Sequence, residues 1–349
     1  MLGLAMGVTM RTITFARLQK SSLSMISRRN IRVKVMQCLY ALRTGNELPF
    51  PSKVFQNSKK PLTPAASEST AEKLLRRQFD YTISLFIYQV WFLTEVARYA
   101  ETDARNKAAK HLPTAEDLAV PVKIAGNDLL WRILESSLYK EGVEQFQPEL
   151  IEESNEWVKK VYTSLTQSTP YAVYNTAEGR DKKAEKEILE FIYNDLMLAN
   201  EDWVGFVEEL YTNWDDDAEM LQLLFMHFLQ KPGVFQLKEM LGNEKFVFAC
   251  QLLDAAEKKK AVLDEWITPK LRNWDADRLA QIDMILLELG VAEFLFFETI
   301  PPKVTINEYI DLAKAYSTPQ SGQFINGILD NIRKELEEAG KMEKVAYKK

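Results

Sequence analysis

Apolar residues along this chain recur at helical rather than strand spacing. Ile31, Val35, Leu39 and Leu42 fall on one side of a helix over 30–43, with Cys38 beside them. Ser27 is placed to cap its start and Gly45 to end it. Residues 46–68 gather Pro49, Pro51, Pro61 and Pro64 among Ser, Asn and Lys, which predicts a loop or linker. Leu75, Phe79, Ile83, Phe86, Ile87 and Val90 predict one long helix over 72–98, or two with a kink. Helical patterns follow at 127–140, 150–166, 181–198 and 218–230, the last stopped by Lys231-Pro232-Gly233. A further pair is expected over 235–241 and 243–265, then a short connection over 266–273 that contains Pro269.

In the C-terminal third, Ile282, Ile285, Leu286 and Leu289 share a helical face, which Val291 to Phe297 extends or follows with a new turn. Thr305 with Glu308 three residues later predicts a capping box. Thr318 followed by Pro319 predicts an N-cap and first helical position. Phe324, Ile325, Ile328, Leu329, Ile332 and Leu336 predict the buried face of a final helix. Gly327 lies inside it at a cost of roughly 1 kcal/mol relative to Ala, and a close helix crossing is one reason to carry it. No period-two alternation is sustained. The expectation is an all-α fold with antiparallel helix packing.

Composition narrows the picture. Gly and Pro number only 13 each in 349 residues, which suits long helices. Cys38 and Cys250 are the only cysteines, and neither sits in a CxxC pair. A reducing compartment and a small buried thiol at Cys38 are expected. With His111 and His227 as the only histidines, no metal site is expected, and no cofactor. No run of 18 apolar residues exists, so no membrane partner is expected and the location expected is cytoplasmic. Dinucleotide, P-loop, zinc-protease and nucleophile-elbow motifs are absent, so no catalytic residue is predicted and the chain is not expected to be an enzyme.

Charge is unevenly spread. The net charge of -6 argues against nucleic-acid binding over the whole surface. Yet Arg11, Arg17, Lys20, Arg28, Arg29, Arg32, Lys34 and Arg43 are the charged residues of the first 43, with no acid among them. Glu201, Asp202, Glu208, Glu209, Asp215, Asp216, Asp217 and Glu219 follow one another without Lys or Arg. Asp215 to Asp217 are expected to form a solvated acidic turn. Arg28 and Arg32 are four apart and share a helical side, with Arg29 and Lys34 broadening the patch. Ile31, Val35 and Leu39 turn inward while these charges stay in water. Arginines can fork onto phosphate and stack on bases, so Arg28, Arg29, Arg32 and Lys34 are the candidate RNA contacts.

Ser27-Arg-Arg-Asn-Ile-Arg-Val-Lys-Val-Met-Gln-Cys-Leu-Tyr40 resembles the opening arginine-rich helix of the NusB antitermination family. Asp277 to Gly290, Lys303-Val-Thr-Ile-Asn-Glu-Tyr-Ile-Asp-Leu-Ala-Lys-Ala-Tyr316 and Phe324-Ile-Asn-Gly-Ile-Leu-Asp330 resemble the same family more closely. The resemblance implies two packed NusB-like helical bundles and single-stranded RNA binding at boxA-like elements. It also implies a NusE-type small-subunit ribosomal protein as partner, in an RNA polymerase antitermination complex that promotes ribosomal RNA transcription. Asn30 stands where the family often carries a basic residue, so the patch is thinner here. A helical segment of well over one hundred residues separates the two matches, an arrangement resembling long forms of the Bacteroidetes branch.

The division expected is a disordered extension or misassigned start over 1–26, with Met25 as an alternative first residue. The same stretch also has the composition of an organellar transit peptide. An N-terminal helical region with a large central insertion follows over 27–265, then a NusB-like bundle over 266–340 and a flexible tail over 341–349. Asn307, Glu308, Phe324, Asn326 and Gly327 are candidates for holding the fold or touching a partner. Lys314 and Lys334 are weaker candidates for phosphate contact. The alternative reading is a helical interaction scaffold of the transcription or ribosome machinery without strong RNA binding of its own.

Overall fold

The computed structural model describes residues 26–45, 69–271 and 280–345. Among them every regular element is helical, and no helix is long and apolar enough to cross a membrane. Residues 1–25 of the expected extension, the proline-rich linker, the stretch 272–279 and residues 346–349 of the expected tail lie outside the described residues, while Ile26, assigned to the extension, is buried.

Helix α1 (Arg28–Thr44) begins where Ser27 accepts the Asn30 amide and ends at Gly45, whose φ of 68° is left-handed. Helix α2 (Thr70–Ala108) is one unbroken helix, longer at both ends than its pattern predicts. Ser69 and Glu72 form a reciprocal capping box at its start, at 3.2 and 2.7 Å. From Leu75 to Ala97 its buried residues point in every direction, so α2 is an interior axis rather than a surface helix. Most of its buried polar groups find partners: Tyr88 meets Ser154 at 2.9 Å, and Gln89 accepts from Tyr193 at 2.6 Å, although the Gln89 amide nitrogen has no partner among the described residues.

Shorter helices wrap this axis: α3 (Asp128–Glu135), α4 (Ser137–Phe146), α5 (Ser154–Thr166), α6 (Thr169–Thr176), α7 (Lys182–Phe191) and α8 (Glu201–Leu210). The pattern over 127–140 is split because Ser136 turns its hydroxyl onto the Ile133 carbonyl at 2.7 Å and caps α4. Helix α7 loosens into a wide turn at Ile192–Leu198. Helix α8 lies in the acidic stretch, with Glu201 and Asp202 in its first turn, where the helix dipole favours them.

Helices α9 (Trp214–Gln230), α10 (Asn243–Lys258), α11 (Lys260–Ile267), α12 (Gln281–Phe296), α13 (Pro302–Tyr316) and α14 (Ser321–Glu338) complete the chain. Instead of a helix over 235–241 there is a single 3-10 turn at Leu237–Glu239. Helix α12 is buried all round and packs against α1, α10, α11, α13 and α14, making it a second axis. Helices α1 and α10 both touch α2 and α12, and so join the two axes.

Several local expectations are corrected. Helix α13 begins at Pro302, so Thr305 lies within it, buried, rather than at its cap. Proline already supplies the first-turn geometry there. Helix α14 begins at Ser321 because residues 318–321 close a turn, with the Ser321 amide on the Thr318 carbonyl at 3.0 Å. The 341–345 segment docks: Lys344 donates to the Glu293 and Phe297 carbonyls, both at 2.8 Å, at the end of α12. Gly327 is exposed, with nothing within 4 Å of a Cβ built on it, so no close crossing explains it. The tight crossing is at Gly290, where a Cβ would lie 2.8 Å from Leu329 Cδ2 in the buried contact of α12 with α14.

The two glycines therefore give opposite outcomes. Gly327→Ala is expected to stabilise the chain by about 0.5–1 kcal/mol through helix propensity. Gly290→Ala is expected to destabilise by about 1–3 kcal/mol through overpacking. Urea unfolding of both variants beside the unaltered chain checks the signs.

Candidate nucleic-acid interface

The surface in question is the start of α1 and the helices around it. Four of its basic positions were expected in water, and the structure divides them. Arg28 and Arg29 are exposed. Arg32 and Lys34 retain only 2% and 1% of their accessible surface. The reason is that α1 lies between the two axes and has almost no free side. A guanidinium or ammonium cannot stay there without a counter-charge.

Each buried cation has one. Arg32 grips Glu293 of α12 through Nε at 2.7 Å and Nη2 at 3.1 Å, a bidentate geometry. The same carboxylate accepts from Thr305 at 2.8 Å and Tyr309 at 3.0 Å, so its lone pairs are well used. Glu308 adds a contact to Arg32 Nη1 at 3.3 Å. Burial pulls the Arg32 pKa down, but Glu293, with Tyr309 and Glu308, more than offsets this and holds it above the usual value. Burial, reinforced by Glu293, keeps the Tyr309 hydroxyl protonated.

Lys34, two residues on, faces the other way. Its ammonium lies 2.8 Å from Asp217, which has no accessible surface. Asp217 also accepts from Thr82 of α2 and Asn213, both at 2.6 Å. Asp216 accepts from Gln37 at 2.6 Å and from Tyr316, and its carbonyl accepts from Asn30 at 3.3 Å. The expected solvated acidic turn is therefore the first turn of α9, with only Asp215 exposed. Its carboxylates complement the helix dipole and hold α1. Further along, Arg43 and Lys260 share buried Glu288 at 2.5 and 2.7 Å. Sequence alone offers little to single out these acids: Asp216 and Asp217 stand in an acidic run, and Glu288 and Glu293 among apolar residues.

At the exposed end, the Arg28 guanidinium lies 5.6 Å from the Phe248 ring centre. Lys245 of α10 donates to the Ile26 carbonyl. Burial, then the charge of Arg28, pushes its pKa down to about 8. Arg29 makes no ion pair among the described residues. Cys38 is fully buried, and burial pushes its thiol up to about 12, so it is an inert core residue.

The C-terminal candidates also divide. Phe324 is buried, and Glu308 is turned toward Arg32. Asn307 and Lys314 are exposed on α13, while Asn326, Gly327 and Lys334 are exposed on α14. Lys334 pairs with Asp330 at 2.8 Å, and Lys314 lies 3.6 Å from Asp311. Among the described residues no group of three or more His, Cys, Asp or Glu side chains is arranged to hold a metal ion.

Removing one partner of a buried pair strands the other. Arg32→Ala is expected to cost about 3–5 kcal/mol in urea unfolding, and Arg28→Ala under about 0.5 kcal/mol. A pH effect follows from Lys245. Its folded pKa lies below its unfolded value, near 10.4. Between about pH 8 and 10.4 the unfolded chain binds more protons at this group, so its contribution to stability rises with pH. Urea midpoints at both ends of that window should show a rise that shrinks in Lys245→Gln.

Residues 211–334 match the NusB family. The match reaches back past residue 266 to include α9, α10 and α11, the helices that pack around α1 and α12. The chain is similar to the transcription antitermination protein NusB of Listeria innocua, with 39% identity over 116 residues, covering 33% of this chain and 91% of that protein. It is 38% identical over 104 residues to the same-named protein of Natranaerobius thermophilus, covering 30% and 75%. Against that of Methylacidiphilum infernorum it is 48% identical over 84 residues, covering 24% and 58%. No solved structure matches.

Proposed function

The chain belongs to the NusB family, and from that premise we propose that it is a transcription antitermination factor that binds boxA-like single-stranded RNA together with a NusE-type small-subunit ribosomal protein. Its action is adhesive rather than catalytic. One basic face holds RNA, another face docks the protein, and the assembly joins RNA polymerase during ribosomal RNA transcription in the cytoplasm.

The observation that carries this reading is the exposed pair Arg28 and Arg29 at the start of a helix whose Arg32 and Lys34 are locked inside. Arg32 and Lys34 then act as positioning residues. They fix α1 between α9 and α12, so the two exposed guanidiniums project from a rigid helix end. Preorganised cations lose less freedom on meeting a phosphate chain than mobile ones do. For protein docking, the exposed positions Asn307 and Lys314 of α13, with Asn326, Gly327 and Lys334 of α14, offer a polar surface away from α12. In this reading the NusB-like part is α1 with residues 211–338, and residues 69–210 are an added helical layer around α2.

The burial of Arg32 and Lys34 favours a second reading, a protein-interaction scaffold with weak RNA affinity. A fluorescence titration of labelled boxA-like RNA, with and without the ribosomal partner, separates the two. RNA binding in either arm supports the first reading. Retention of the ribosomal protein with no RNA binding in either arm supports the scaffold. Arg28→Ala with Arg29→Ala is expected to weaken RNA binding while leaving circular dichroism unchanged. It should also flatten the slope of log affinity against log salt by about 1.4, the equivalent of two phosphate contacts on a single strand.

A further inference from the structure

The first turns of α10 hold a feature that packing alone does not require. Lys245, Phe246, Val247 and Phe248 are consecutive, and all four keep solvent contact, with Val247 43% exposed. A helix that served only to fill the core would leave one polar side in water, not two phenylalanines and a valine. The rings are also fixed. Phe248 meets Phe297 edge-on at 5.3 Å between centres, and Phe246 meets Phe79 edge-on at 6.3 Å.

Two cations stand at the surface beside them, Arg28 and Lys245, and two buried ones, Arg32 and Arg76, lie behind the rings. The exposed Arg28 lies over Phe248, with buried Arg32 5.9 Å from the same ring centre. Arg76 of α2 covers Phe246 at 3.9 Å. Lys245 is tied to the Ile26 carbonyl, within the field of Arg28. Glu244 is the neighbouring acid, and its attraction does not restore the Lys245 pKa to its ordinary value. Like charges beside one another, next to wet aromatic rings, are suited to an anion that also carries flat apolar faces. Single-stranded RNA has both, with phosphates for the cations and bases for the rings. A protein segment would satisfy the rings but would need its own acids for the cations.

We infer that the first turns of α10 continue the RNA surface begun by α1, with Phe248 and Arg28 as a stacking platform for one base and Lys245 as a phosphate contact. The strand then crosses from α1 over Val247 toward the partly exposed ring of Phe246. The inference rests on the RNA-binding reading above and extends it to residues outside the arginine-rich segment.

The test uses the full chain and labelled single-stranded boxA-like RNA, with the ribosomal partner present, over a series of salt concentrations. Phe248→Leu keeps an apolar side chain against Phe297 but removes the ring. It should weaken binding about tenfold without changing the salt slope, and Phe248→Trp should restore it. Lys245→Gln should weaken binding and flatten the slope by about 0.7. Val247→Glu, at an exposed position, should weaken binding without altering the urea midpoint. If these variants bind as the unaltered chain does while Arg28→Ala with Arg29→Ala loses affinity, the RNA does not cross α10. The inference then falls and the RNA-binding reading stands. If the unaltered chain binds no RNA, both fall.

Discussion

Two cations inside a protein need two carboxylates inside it, and that requirement organises this molecule. Arg32 and Lys34 sit two residues apart on α1, so they point to opposite sides of the helix. One must find its partner on α12 and the other on α9. Glu293 and Asp217 meet them there, each carrying further hydrogen bonds from Thr305 and Tyr309, or from Thr82 and Asn213. A slip of α1 by one residue would strand both charges. Apolar packing supplies most of the attraction between helices, but it is tolerant of register, whereas paired buried charges are not.

This explains why the ends of the chain meet. The arginine-rich segment and the Val-Thr-Ile-Asn-Glu motif lie nearly three hundred positions apart, yet Arg32 touches Glu308 of that motif. Thr305 and Tyr309 on the same helix complete the Glu293 site. Lys344 then covers the end of α12 by taking the Glu293 backbone carbonyl. Glu293 is thus the residue at which the first helix, the motif helix and the C-terminal segment converge. The added helices do not interrupt this arrangement. Helix α2 contributes Thr82 to the Asp217 site and carries a long apolar axis whose core is continuous with that around α1 and α10.

The proposed RNA surface follows from the same constraint. Once α1 is locked on both sides, its water-facing positions are confined mainly to its first turn and its C-terminal end, and the basic patch contracts from four expected cations to Arg28 and Arg29. In the inference drawn above, Lys245 and Phe248 of α10 extend what remains of it, and Ile26, just before α1, is bonded to both Met240 and Lys245. The basic surface thus lies across two helix ends rather than along one helix. In the RNA-binding reading proposed above, such a split surface suits a flexible single strand, which can bend between the two ends, better than a rigid duplex.

Helix content was legible in the sequence because periodicity and capping are local. Ser27, Gly45 and the α2 stripe report on neighbours within a few residues. The family was legible because its motifs are short and ordered along the chain. Boundaries were less legible where two local signals compete, as at Pro302 against Thr305 for the start of α13. The roles of charged residues were not legible at all. Arg32, Lys34, Asp217 and Glu293 carry the same charges as any solvated residue, and nothing within a turn of them says that they face a partner. Gly290 and Gly327 likewise look alike in sequence, and only the approach of Leu329 distinguishes them. The sequence by itself determined the helices, the family and the presence of a basic helix start. The tertiary structure decided which of those charges remain in water, because burial is set by the distant helices that pack on α1 and not by α1 itself.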